Sequence, residues 1–122
     1  VGAMGLAQVM PSTFADISRK AGITGNPFDP TTNLQAGAWY MGRLRAQFHT
    51  DRTEQDRHSL ALASYNAGIG HIVRAQRIAG NPPEWQPVAD TLPQVTGRHA
   101  KETQDYVVKI YGHYRRFVAV GI

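Results

Sequence analysis

Apolar side chains recur along this chain at helical spacing, and no stretch of useful length alternates as a strand would. Phe14 and Ile17 share one face of a first helix. Pro11 sets the turn before it, Ser12 or Thr13 is the expected side-chain cap, and Gly22 is the stop. Ile23 to Pro30 reads as loop, rich in Gly, Asn and Pro. Asp29 then caps a second helix whose first position is Pro30, where a missing N–H costs nothing. Its apolar stripe is expected to run Leu34, Ala38, Met41, Leu44 and Phe48, with Arg45 on the flank. Trp39 and Tyr40 fall partly off that stripe, and Trp39 reads as core or helix–helix packing. His49 to Arg57 is charged and polar, a solvated loop.

Leu60, Ala61, Ala63 and Ser64 predict a third helix of mostly small side chains. Small residues let a helix pass close to its neighbours, so this one is expected at the centre. It ends at Tyr65, Asn66, Ala67 and Gly68, and a fourth helix follows with Ile72, Val73 and Gln76 facing inward. Gly80 to Pro93 holds four of the seven prolines and reads mostly as loop. Trp85 sits there with two readings open: an anchor on the core, or a platform for stacking a sugar. The last helix is the longest, with Tyr106, Val107, Ile110, Tyr111, Tyr114, Phe117 and Val118 spaced for one buried face. The pattern predicts an all-α domain of about five helices.

Composition narrows the function classes. With 122 residues the chain is one domain, long enough to bury a core without disulfides or metal, and it has no cysteine. No apolar run approaches the roughly 20 residues of a membrane span. The net charge is +4, from 13 basic residues of which ten are arginine. The arginines are scattered rather than striped, so a solvated surface is expected and nucleic acid is not an expected partner. His49, His58, His71, His99 and His113 lack metal-ligand spacing, and no phosphate loop follows a strand, so neither metal nor cofactor is expected. The chain opens on Val1 and closes on Ile122, and both ends read as cut from a longer protein.

Candidate chemistry gathers in two stretches. Val1 to Pro11 packs Gly2, Gly5, Gln8 and Met10 into a short segment, where glycines permit tight turns and close backbone approach. A neutral amide and a thioether beyond them suit an uncharged polar polymer; Met10 is equally readable as core. Ala63 to Gly70 puts Tyr65 and Asn66 at a helix end broken by Gly68 and Gly70, an arrangement suited to binding sugar. Asn66 is also readable as a helix-end cap. Of the three glutamates, Glu54 lies among charges and Glu84 in a proline-rich loop, both surface positions unsuited to an acid's work. Glu102 opens the last helix, where the dipole also favours a carboxylate.

At these residues the chain resembles the soluble lytic transglycosylases, lysozyme-like enzymes that cut peptidoglycan glycan strands. The first stretch is similar to the family's Gly-x-x-Gly-Leu-Met-Gln-x-Met-Pro segment, and the second to its Ala-Tyr-Asn-Ala-Gly segment. Asp29, Pro30, Asn33, Leu34 and Gly37 to Tyr40 resemble its Asp-Pro helix, and Glu102 to Val107 its Glu-Thr-Arg-x-Tyr-Val. Ala7 and Ser64 depart from the usual Met and Ala. The resemblance implies an all-α, goose-type lysozyme-like fold. It implies cleavage of the MurNAc–GlcNAc β-1,4 bond with formation of 1,6-anhydro-MurNAc, without cofactor. It implies Gln8, Met10, Ser64, Tyr65, Asn66 and Ala67 as substrate-binding residues, with Tyr65 and Glu102 in catalysis. The family's main catalytic Glu lies in a Glu-Ser segment upstream of the Gly-rich stretch, which this sequence does not include. The implied partner is the glycan strand, with a larger parent protein or virion assembly around the domain. The implied place is the periplasm or cell wall, or a phage virion. A hydrolase of the same fold, or a catalytically silent wall-binding or structural module, are the alternatives.

Overall fold

The computed structural model describes residues 9–49 and 51–119, with side chains as far as His113. Its helices are α1 (Pro11–Ala21), α2 (Pro30–Gln47), α3 (Glu54–Ala67), α4 (Ile69–Ile78), α5 (Trp85–Thr91), α6 (Pro93–Thr96) and α7 (His99–Ala119). Among the described residues there is no β-strand, so the all-α expectation holds. The five helices of ten or more residues are those the periodicity predicts, and α5 and α6 are additional short ones. The chain divides into two compact units, one up to Arg43 and one from Leu44.

In the first unit, Phe14 and Ile17 of α1 bury against Val9 and Ala36, flanked by Ala21, Ile23, Trp39 and Tyr40. The core reading of Trp39 therefore holds, and the Arg43 guanidinium lies 5.3 Å from the centre of its ring. The cap of α1 is Met10, in extended conformation, and no side chain caps the helix. Ser12 and Thr13 do not serve because Pro11, with φ already set, starts the helix ahead of them. Gly22 ends it in the left-handed region at φ 70°, its N–H returning to Ser18 O at 3.1 Å. Asp29 caps α2 as expected, accepting from the Thr32 N–H at 3.0 Å and the Thr32 hydroxyl at 3.1 Å.

The stripe on α2 differs from expectation. Leu34 is 51% exposed and Ala38 is exposed, while Asn33, Ala36 and Gly37 face inward. The inward face is rotated by one residue because Asn33 is used to hold the preceding loop. Fully buried, it donates through Nδ2 to Pro27 O at 2.9 Å.

In the second unit α3 is central. Every residue from Ser59 to Ser64 is buried, and α7, α4 and α5 all pack on it. Its small side chains allow contact on all sides, as the sequence suggests. Leu60, Leu62, Ile72, Ala75, Val88, Leu92, Ala100 and Val107 build the core with it, and Leu44 and Phe48 are buried in the same unit. The polar loop before α3 is shorter than expected. Thr53 caps the helix by accepting from the Asp56 N–H at 3.1 Å, so Glu54 lies in its first turn rather than in a loop. The Gly80–Pro93 stretch also departs from expectation, because α5 forms inside it and buries Val88 and Ala89. Pro87 falls in the first turn of α5 and Pro93 at the start of α6, positions whose N–H groups have no helical partner to lose. On α7, Ala100, Thr103 and Val107 are buried and Tyr106, Ile110 and Tyr111 partly so, while the side chains of Tyr114, Phe117 and Val118 lie outside the described residues.

Candidate saccharide site

The site forms where α3 ends and α7 begins. The last turn of α3 closes on Gly68, whose N–H donates to Ser64 O at 2.8 Å. Gly68 has φ 95° and ψ 134°, a conformation open to glycine and strained for other residues, and the chain enters α4 immediately after it. The sharp corner leaves Asn66 and Ala67 at the surface end of a buried helix. Gly97, at φ 60°, ends α6 and admits the chain to α7. Gln104 Nε2 donates to Ala89 O at 2.7 Å, which ties the start of α7 to α5.

Between these ends lies a cavity of about 390 Å³, lined among the described residues by Asn66, Ala67, His71, Thr96, His99, Glu102 and Thr103. The lining combines a carboxamide, two imidazoles, hydroxyls and one carboxylate. Glu102 lies in the first turn of α7, where the positive end of the helix dipole favours its negative charge. Such a wall offers hydrogen-bond donors and acceptors to a polar ligand, with one carboxyl group among them. Among the described residues, no group of three or more His, Cys, Asp or Glu is placed to hold a metal ion.

Three of the residues singled out from sequence, Asn66, Ala67 and Glu102, meet on this wall although two distant motifs supply them. Asn66 is not the cap of α3; Gly68 is, and the Asn66 carboxamide oxygen accepts instead from Thr103 Oγ1 at 2.7 Å. Tyr65 is half-buried one position earlier and is not among the lining residues. Ser64 lies in the core, its hydroxyl donating to Leu60 O at 2.8 Å, so it has no surface to offer a ligand. Met10, 41% exposed, belongs to the first unit, and its carbonyl accepts from the Phe14 N–H at 2.8 Å. Gln8 lies outside the described residues.

His71, Thr96, His99 and Thr103 were not singled out from sequence. Two of them carried a readable signal. His99 precedes Glu102 by three residues and so shares its helix face, and Thr103 is the second residue of the Glu-Thr pair. A smaller cleft of about 200 Å³ elsewhere in the second unit is lined by Arg45, Glu54, Gln55, His58 and Tyr111. Arg45 pairs with Glu54 at 2.6 Å there, and the His58 ring is tilted against Tyr111 with centroids 6.3 Å apart. Burial, reinforced by the Arg45 charge, holds the His58 imidazole below its ordinary pKa, with Glu54 opposing.

The transglycosylase SLT domain family matches residues 1–87. Over 98% of its length the chain is 35% identical to membrane-bound lytic murein transglycosylase F of Desulfosudis oleivorans, covering 25% of that protein. It is 38% identical over 75% of its length to the protein of the same name from Alcanivorax borkumensis, covering 20% of it. The corresponding protein of Aliivibrio fischeri is 31% identical over 76% of the chain, with 22% of its own length covered. The chain thus spans a quarter or less of these curated relatives. No solved structure matches. With the family match running through residues 1–87 and so through Asn66 and Ala67 of the cavity wall, the chain belongs to the transglycosylase SLT domain family.

Proposed function

We propose that this chain is the glycan-gripping domain of a peptidoglycan lytic transglycosylase, acting outside the cytoplasm on the cell wall. The observation that carries the reading is the shared cavity: Asn66 and Ala67 from one family motif and Glu102 from another line the same space of about 390 Å³. The names of the relatives support it, since they are lytic murein transglycosylases. Those relatives are bacterial, which favours a bacterial wall enzyme over a virion component.

The proposed reaction cleaves the MurNAc–GlcNAc β-1,4 bond. An acid protonates the glycosidic oxygen, the C1–O bond breaks, and the 6-hydroxyl of the same MurNAc attacks C1. That hydroxyl gives its proton to the conjugate base, so the acid is regenerated and no water is consumed. One carboxyl group is enough for both transfers. By the resemblance this carboxyl belongs to the Glu-Ser segment, outside Val1–Ile122. Of the three glutamates here, Glu102 is the one on the cavity wall, and its proposed role is to hold the reacting sugar by charge-assisted hydrogen bonds. Tyr65, at the end of α3, is proposed to act beside the carboxyl of the Glu-Ser segment. Gln8 and Met10 are proposed to bind the glycan as well.

Mass spectrometry of soluble products from purified peptidoglycan tests the reading. Anhydro-muropeptides are expected when this chain acts with the Glu-Ser segment, and Glu102→Gln should reduce their rate roughly 10- to 100-fold, the worth of one charge-assisted bond. Reducing-end products would identify a hydrolase instead. Wall binding with no products even when the Glu-Ser segment is present would identify a silent module.

A further inference from the structure

Thr103 is only 2% exposed, whereas Asn66 stands exposed at the cavity wall. Thr103 Oγ1 donates to Asn66 Oδ1 across 37 residues of chain. A carboxamide carries its acceptor oxygen and its two-donor nitrogen on opposite sides, so engaging one determines where the other points. We propose that Thr103 is a positioning residue: its buried hydroxyl holds the Asn66 carboxamide in one rotation, with Nδ2 presented to the cavity as a donor. The ligand chemistry selected is a neutral oxygen acceptor, here the acetamido carbonyl of an N-acetylated sugar. This deepens the saccharide reading above and rests on it.

The backbone does not supply the same constraint. The N–H of Gly68 is already committed to Ser64 O, and the Asn66 side chain takes no part in that cap. Rotated by half a turn, the carboxamide would aim its oxygen at the cavity. A sugar carbonyl would then meet a second acceptor instead of a donor. Thr103 therefore decides whether Asn66 attracts or repels that group, without itself facing the ligand through its hydroxyl.

The test uses Thr103→Val, which keeps the shape and removes the hydroxyl, and Thr103→Ser, which keeps the hydroxyl. The probe is a β-1,4-linked tetrasaccharide of N-acetylglucosamine. Thr103→Val should weaken its binding about tenfold and Thr103→Ser less than about twofold, as expected for one hydrogen bond lost or kept. On an Asn66→Ala background, Thr103→Val should add nothing, because a positioning residue acts only through its partner. Nitrogen-15 spectra give a second readout: the Asn66 side-chain NH₂ pair should shift when sugar binds, and in Thr103→Val should move to the shifts of an asparagine free to turn about its Cβ–Cγ bond. Equal losses in Val and Ser variants, or a Thr103→Val effect that persists without Asn66, overturns the proposal. If the wild-type chain does not bind the sugar, the saccharide reading and the donor role fail together. Positioning is then judged by the amide pair alone, supported if Thr103→Val moves it to the shifts of a mobile asparagine and overturned if the pair is unchanged.

Discussion

Gly68 shows how much a single residue contributes to this site. An added Cβ there would meet only His71 Cδ2, at 3.8 Å, which is ordinary contact. The cost of a side chain is therefore backbone strain, since φ 95° lies where L-residues rarely go. Gly68→Ala should lose about 1–3 kcal/mol in chemical denaturation. Gly70 makes the control. It lies inside α4 with open space around its Cβ position, so Gly70→Ala should be neutral or gain up to about 1 kcal/mol. If the two variants behave alike, the corner between α3 and α4 does not depend on the glycine conformation. Ser64 makes a different point at this scale: its place in the motif suggested a ligand contact, and its hydroxyl is spent inside α3. Sequence shows that a polar residue is present but not which way the buried helix is turned.

At the scale of elements, the start of α3 joins two helices. Asp56 accepts from the Thr53 hydroxyl at 2.8 Å through one carboxylate oxygen and from the Trp85 N–H at 3.0 Å through the other. Trp85 is the first residue of α5, so this carboxylate holds the Thr53 cap of one helix and tethers the next. Thr53→Ala should cost about 1 kcal/mol, an ordinary cap. Asp56→Ala should cost more, about 2–3 kcal/mol, because it also leaves the Trp85 N–H without its acceptor. Equal losses in thermal or urea unfolding would show that the tether contributes nothing. Tertiary packing also explains why α5 is not legible in the sequence. Seven residues containing a proline carry little helical signal of their own, and it is burial of Val88 and Ala89 that stabilises them. The turn of α2 was missed for a related reason, because Leu34 looks like core until Asn33 is seen filling the inward position.

For the molecule as a whole, acid is the condition that separates buried chemistry from surface charge. The ion pairs Asp16–Arg19, Asp16–Lys20 and Lys101–Asp105 lie exposed on single helices and contribute little to stability. His58 differs, because its imidazole titrates below the ordinary histidine range when folded. Above pH ~6.5 it is neutral in both folded and unfolded chains and has no effect. As pH falls through that value the unfolded chain takes up the proton first, so stability falls until the folded pKa is reached. Unfolding midpoints should therefore decline below pH ~6.5, and His58→Gln should flatten the decline. An unchanged slope in that variant would assign the acid sensitivity to other groups.

What the sequence by itself determined is local. The stop of α1 at Gly22, the Asp29 cap of α2, the small-residue character of α3, the break at Gly68 and the apolar face of α7 all follow from spacing, caps and special dihedrals within a few residues. The family motifs were equally legible, because each is a short run of neighbours. Tertiary structure alone decided which face of α2 turns inward, that a proline-rich stretch folds as α5, and that Ser64 belongs to the core. It also decided that the Asn66 carboxamide turns to a hydroxyl 37 residues away and that Glu102 comes to share its cavity. Each of these depends on which distant side chain satisfies a buried polar group or fills a gap, and a helical period cannot encode that partner.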